Sequence, residues 1–196
     1  MSSRDHILSK IKASKPNYQD LLEIDLSVFN EDLDLLEEFK RKVKVVGGKI
    51  YSANSTVEIL EKVKVLFPDT KSNYSALLNS EAFNTIDIED INNPQELDDL
   101  DLLVLQGEFG VAENGAIWIT DDNFPIRVLP FITKHLVLVI DKVEISPYMH
   151  QAYERLKGKD YNFGLFLSGP SKTADIEQAL VIGAQGALSL SVFINR

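Results

Sequence analysis

The run His135-Leu136-Val137-Leu138-Val139-Ile140 is apolar on both of its alternating faces. A strand with no polar face must be covered on both sides, which is the situation of a parallel sheet flanked by helices. Further runs of strand length fall at 49–53, 101–105, 163–167 and 188–194, and helix signals separate them. Alternation of this kind predicts an α/β chain. With 196 residues, 44% hydrophobic and 26% charged, the chain is long enough to bury such a sheet in one domain.

The helix signals are local and specific. Ile7, Leu8 and Ile11 are spaced for a short amphipathic helix that Lys15-Pro16-Asn17 ends. Asn30 is the expected cap of a second helix bearing Leu33, Leu36, Phe39 and Val43, with Gly47-Gly48 as its stop. Ser55-Thr56-Val57-Glu58 has capping-box spacing and predicts a helix to about Leu66. Asn93-Pro94-Gln95-Glu96 opens a short one, Ser146-Pro147 another, and Asp175-Ile176-Glu177-Gln178 a last one. The domain organisation expected is a helical extension over 1–29 and an α/β domain over 30–196.

Composition removes several classes of function. The chain has no cysteine, so disulfides, thiolate zinc sites, cysteine nucleophiles and a self-contained iron–sulfur cluster are excluded. A formal net charge of −10 argues against nucleic acid as a partner, because phosphate binding needs basic surface. No apolar run reaches the roughly 18 residues of a membrane span, and no apolar region follows the first six residues as in a secretory leader. The expected location is the cytoplasm. His6, His135 and His150 lack metal-ligand spacing, so no metal site is expected.

Two segments set glycine turns beside carboxylates. In Ser168-Gly169-Pro170-Ser171-Lys172-Thr173-Ala174-Asp175-Ile176-Glu177, a strand runs into a turn and then an expected helix start near Thr173 or Asp175. Free amides there, with Ser171, Lys172 and Thr173, suit a phosphate or carboxylate; the same hydroxyls and Asp175 also suit plain capping. In Ala112-Glu113-Asn114-Gly115-Ala116, the Asn-Gly turn holds the Glu113 carboxylate at a strand edge, either as base or nucleophile or as a residue bonded to local backbone. Arg127 is the natural anion partner near the same sheet, or else a member of a surface salt bridge. His135 reads as a structural residue, and Trp118 and Phe131 as core or pocket wall. The pocket is expected at the carboxyl ends of the strands, as in open α/β sheets.

Taken together, the segments 112–116, Leu129-Pro130 through His135-Leu136-Val137, Gly169 to Glu177, and Gly183-Ala184-Gln185-Gly186-Ala187 resemble the LUD (lactate-utilisation) domain family, of the LutC/YkgG type. That family has Ala-Glu-Thr-Gly-Thr, Leu-Pro-x-x-His-Ile-x-Val, Gly-Pro-Ser-[Arg/Lys]-Thr-Ala-Asp-Ile-Glu and Gly-x-His-Gly-Pro at the corresponding places. The resemblance covers roughly residues 30–195. Here Asn114 stands for the family's threonine, Gln185 for its histidine and Ala187 for its proline.

The resemblance implies a NagB/RpiA/CoA-transferase-like α/β sheet with helices on both faces. It implies a component of L-lactate oxidation to pyruvate, in an accessory or substrate-handling role, beside partner proteins that carry iron–sulfur centres. The cofactor is left unknown. A small anionic ligand is expected, with Glu113 as the catalytic candidate and Asn114, Gly115, Arg127, Gly169, Ser171, Lys172, Thr173 and Asp175 as ligand-binding residues. Glu113-Asn114-Gly115 also resembles the Glu-Asn-Gly motif of class I CoA-transferases. The alternatives are thus a stand-alone acyl-CoA or phospho-ligand enzyme using Glu113, or a non-catalytic interaction module.

Overall fold

The structure is a computed structural model that describes residues 2–20, 25, 32–174 and 180–195. The chain forms two units, Met1–Asp32 and Leu33–Arg196. In the first, α1 (Ser3–Ala13) begins at a reciprocal cap. The Ser2 hydroxyl accepts from the Asp5 amide at 3.3 Å, and the Asp5 carboxylate accepts from the Ser2 amide at 2.9 Å. Lys10 and Lys12 sit in its last turn, where cations oppose the helix dipole favourably. The stripe Ile7, Leu8 and Ile11 is exposed.

The second unit is a mixed α/β body. Its main sheet runs β1 (Lys49–Ala53), β11 (Ser189–Asn195), β6 (His135–Asp141), β3 (Leu102–Gln106) and β2 (Asn73–Ser75), all parallel. The strand singled out in the sequence occupies its centre, and Leu136–Ile140 are all buried. On one face Val137 and Val139 pack with Leu102, Val104 and Phe193 against Ile59, Leu60 and Val63 of α3 (Thr56–Leu66). On the other, Leu136, Leu138 and Ile140 pack with Phe39 and Val43 of α2 (Leu35–Val45). Helices therefore cover both faces of the parallel sheet.

A second sheet shares that other face. It orders β7 (Ile145–Ser146), β4 (Phe109–Val111), β5 (Ala116–Thr120) and β8 (Gly164–Leu167). Ile117 and Ile119 face the common core, while Phe109, Val111 and Trp118 pack with Ala152 and Leu156 of α5 (Met149–Leu156). The segment 109–120 is thus a hairpin of β4 and β5. Strand β8 pairs antiparallel with β5 and does not join the main sheet.

Two other expectations are corrected. The cap of α2 is Asp34, whose carboxylate accepts from the Glu37 amide at 3.1 Å, which leaves Leu33 before the helix; Asn30 lies outside the described residues. Ser146 belongs to β7, so α5 starts at Met149. The helix ends that were expected do occur. Gly47 donates to Lys44 and Gly48 to the Val43 carbonyl at 2.8 Å, the paired bonds of a Schellman motif. The remaining helical turns are α4 (Leu129–Ile132), which leads into β6, and 3-10 turns at Glu81–Phe83 and Pro94–Leu97.

Asp101, just before β3, ties the entry of β2 to this core. Its carboxylate accepts from the Lys71 and Ser72 amides at 2.8 and 3.2 Å and from Lys134 Nζ at 2.8 Å. Lys134 foremost, then these amides, lowers its pKa from 3.8 to about 2. A depressed carboxylate pKa contributes stability above the unfolded value, and that contribution disappears as pH falls through the folded one. With Lys134 45% exposed, screening leaves about 1–2 kcal/mol. Asp101→Asn should lower stability by that amount near neutral pH and by little near about pH 2, as measured by urea unfolding across the acid range.

Candidate functional site

Both glycine-bearing segments converge on the last turn of α2. The tip of the β4–β5 hairpin, Ala112–Gly115, lies over Val43: a Cβ on Gly115 would stand 2.7 Å from the Val43 nitrogen. The segment leaving β8 lies over Val46, where a Cβ on Gly169 would stand 2.5 Å from the carbonyl oxygen. Both glycines have positive φ, +69° and +75°, so close approach and backbone conformation each require the missing side chain. The two segments also touch one another, the Ser168 hydroxyl donating to the Asn114 carbonyl at 2.8 Å.

Lys172 completes this joint. Its ammonium donates to the Val46 carbonyl, one of the acceptors left open at the end of α2. The cation that the sequence assigns to an anionic ligand therefore closes a helix terminus. Its neighbour Thr173 does not begin a helix, because Lys172–Ala174 form β9, which pairs antiparallel with β10 (Leu180–Ile182). Asp175 lies outside the described residues.

Glu113 and Arg127 are placed away from one another. The Glu113 carboxylate accepts from the Met149 amide at 2.7 Å, and its own amide donates to the Pro147 carbonyl at 3.0 Å. It satisfies the first turn of α5, 36 residues further along the chain and not the backbone of its own hairpin. Arg127 pairs with Asp121 at 2.9 Å and lies over the Phe163 ring, 5.4 Å from its centroid. In the β5–β8 ladder, Thr120 pairs with Gly164 and Ile117 with Leu167. Arg127 is thus at one end of that ladder and Asn114 and Ser168 at the other, about 10 Å apart along the strands. The structure does not bring Arg127 to the glycine segments.

Beside the second of these segments lies a cleft of about 200 Å³ between residues 167–171 and 185–187, with Pro130, Phe131 and Leu136 as further walls; residues 112–116 are not among the described residues that line it. Its two strips are laced together, the Ser171 amide donating to Ala187 at 2.9 Å and the Gly183 amide to Ser171 at 3.1 Å. Gly169 and Ser171 are the expected site residues that line it. Phe131, at 43% exposure, is a pocket wall, whereas Trp118 at 4% is core. A second hollow of about 340 Å³, reaching Asp98 and Lys134, adjoins across Phe131, Gln185 and Gly186. A larger one of about 600 Å³ beside Tyr74 and Asn84–Glu89 holds none of the residues singled out in the sequence.

The cleft corrects the expected location. Leu136 is near the start of β6 and Ala187 precedes β11, so it opens at the amino ends of these parallel strands. Only Leu167 and Ser168 come from a carboxyl end, that of β8. His135 reads correctly as structural: Nδ1 lies 2.8 Å from the Ser189 hydroxyl, the ring is against Phe67, and burial pushes its pKa down. Sequence reasoning had named Gln185 and Ala187 only as departures, and the place of Phe131 in the wall depends on the distant strip 185–187 folding beside it.

The sequence pattern of the LUD domain matches residues 36–194. The chain belongs to the LUD domain family. This LUD domain is 33% identical over 89 residues to "Lactate utilization protein C" of Bacillus pumilus (strain SAFR-032), covering 42% of this chain and 37% of that protein. It is 29% identical over 90 residues to the protein of the same name in Geobacillus kaustophilus (strain HTA426), covering 43% and 38%. The matched stretch is thus well under half the length of these relatives. A crystal structure of a DUF162 family protein from Deinococcus radiodurans has the same fold, with a TM-score of 0.62 at 14% identity over 83% of this chain and 97% of that one.

Two substitutions separate these roles. Glu113→Ala should cost about 1 kcal/mol in urea unfolding, as loss of a helix cap does, and Glu113→Gln less because an acceptor remains. Gly169→Ala forces the loop off Val46 and should cost about 2 kcal/mol or more in the same assay.

Proposed function

We propose that this LUD protein is an accessory, ligand-handling component of an L-lactate utilisation system, acting in the cytoplasm beside partner proteins that carry the iron–sulfur centres. One observation carries the reading: parts of two segments that resemble the family, 169–171 and 185–187, fold into the facing walls of a single cleft. The names of the relatives supply lactate utilisation as the context. The absence of cysteine supports a division of labour, since the chain cannot ligate a cluster through thiolates of its own.

Binding is the chemistry this cleft suits. Its walls are aromatic, aliphatic and proline side chains with hydroxyl and carboxamide groups, and among the described residues no acid or base lines it. Glu113, on which a CoA-transferase-like reaction would depend, accepts instead from the first amide of α5. The geometry therefore favours the handling role over the stand-alone enzyme.

The test is growth on L-lactate of a strain lacking the protein and complemented with variants. Phe131→Ala combined with Gln185→Ala, both on exposed wall residues, should reduce the growth rate at least threefold with normal protein level. Glu113→Gln should support growth within about 20% of the unmodified protein, as a capping role predicts. Unimpaired growth of the double variant, or arrest with Glu113→Gln alone, would overturn the reading.

A further inference from the structure

The lining of the cleft narrows the ligand class further, an inference that rests on this cleft being the working site. We propose that it holds an uncharged, planar, amide-bearing ring and not the carboxylate of a free hydroxy acid.

Charge is the first ground. Among the described residues, none of the side chains lining the cleft is ionisable. The Lys172 ammonium, one residue beyond the lining, is bonded to the Val46 carbonyl. Lys134 lies in the adjoining hollow, past Phe131 and Gln185, with its ammonium 2.8 Å from Asp101. A carboxylate moved from water into these walls would lose hydration without meeting a cation, which is unfavourable. An amide of the same shape loses far less.

Shape and donor pattern are the second. The exposed Phe131 lines the cleft together with the stiff rings of Pro130 and Pro170 and the aliphatic Leu136 and Leu167. Flat apolar walls of this kind favour an aromatic group. The Ser171 hydroxyl and Gln185 carboxamide line the same space, and neither side chain makes a hydrogen bond among the described residues. A carboxamide both donates and accepts, so it pairs reciprocally with another amide, whereas with a carboxylate only its NH2 group finds a partner and its carbonyl oxygen does not. At about 200 Å³ the cleft is smaller than the roughly 300 Å³ of sites for drug-sized ligands, which suits one ring and its substituent.

Benzamide and benzoate, nearly identical in shape and different in charge, provide the test by ligand-observed NMR titration of the full chain at neutral pH. Benzamide should bind at least tenfold more tightly than benzoate. Phe131→Ala, at an exposed position, should weaken benzamide at least fivefold, and Gln185→Glu should weaken it without restoring benzoate. Equal or stronger binding of benzoate, binding of neither, or benzamide affinity unchanged in both variants would overturn the proposal. The growth assay fails separately. Impaired growth of the cleft variants with benzoate preferred keeps the lactate role and removes this ligand class. Benzamide preference with unimpaired growth does the reverse.

Discussion

The end of α2 is the interaction on which the site depends. A helix that stops leaves carbonyls without partners, and here two separate pieces of chain meet that need while two loops pack against the same turn. Gly47 and Gly48 turn back onto Lys44 and Val43, Lys172 arrives from 126 residues away to take the Val46 carbonyl, and Gly115 and Gly169 let two loops approach the same turn. The sheet could form without this joint. The cleft could not, because its 167–171 wall is held in place from behind by α2.

The layering explains why such a joint is available. The parallel sheet has one face covered by α3 and the other shared between α2 and the second sheet. Because β8 belongs to that second sheet and runs antiparallel to β5, its carboxyl end arrives beside the amino ends of β6 and β11. A strand of the main sheet running parallel to its neighbours would have delivered Ser168 to the opposite edge. The usual association of α/β sites with carboxyl ends therefore still describes β8, while the rest of the cleft comes from the other end of the parallel strands.

Much of the fold was legible in the sequence because it is local. The apolar run of β6, the glycine stop of α2 and the serine start of α3 each depend on a few adjacent residues. The start of α2 was misplaced because Asn30 and Asp34 are both competent caps, and only the Glu37 amide distinguishes them. Strand β4 was hidden by its length of three residues and its central Gly110. The site was only half legible. The two glycine segments touch at Ser168 and Asn114, but residues 112–116 are not among the described residues that line the cleft, and the partners of Glu113, Arg127 and Lys172 are Met149, Asp121 and Val46, set by long-range packing or by an ion pair formed across a turn. A charged residue beside a glycine turn looks the same in sequence whether it will meet a ligand or a helix end.

The stretch Val46–Lys49 has a bearing on how this domain can vary in length. Within four residues the chain leaves α2, supplies the acceptor for Lys172 and enters register with Ser191 of β11. There is no slack to absorb an inserted residue: one addition would either shift β1 by a position, turning its inward side chains outward, or pull Val46 from under the neighbouring loop. Insertions and deletions among related chains should therefore be tolerated at exposed turns away from α2, such as Lys142-Val143 between the two sheets, and be absent between the second helix and the first strand.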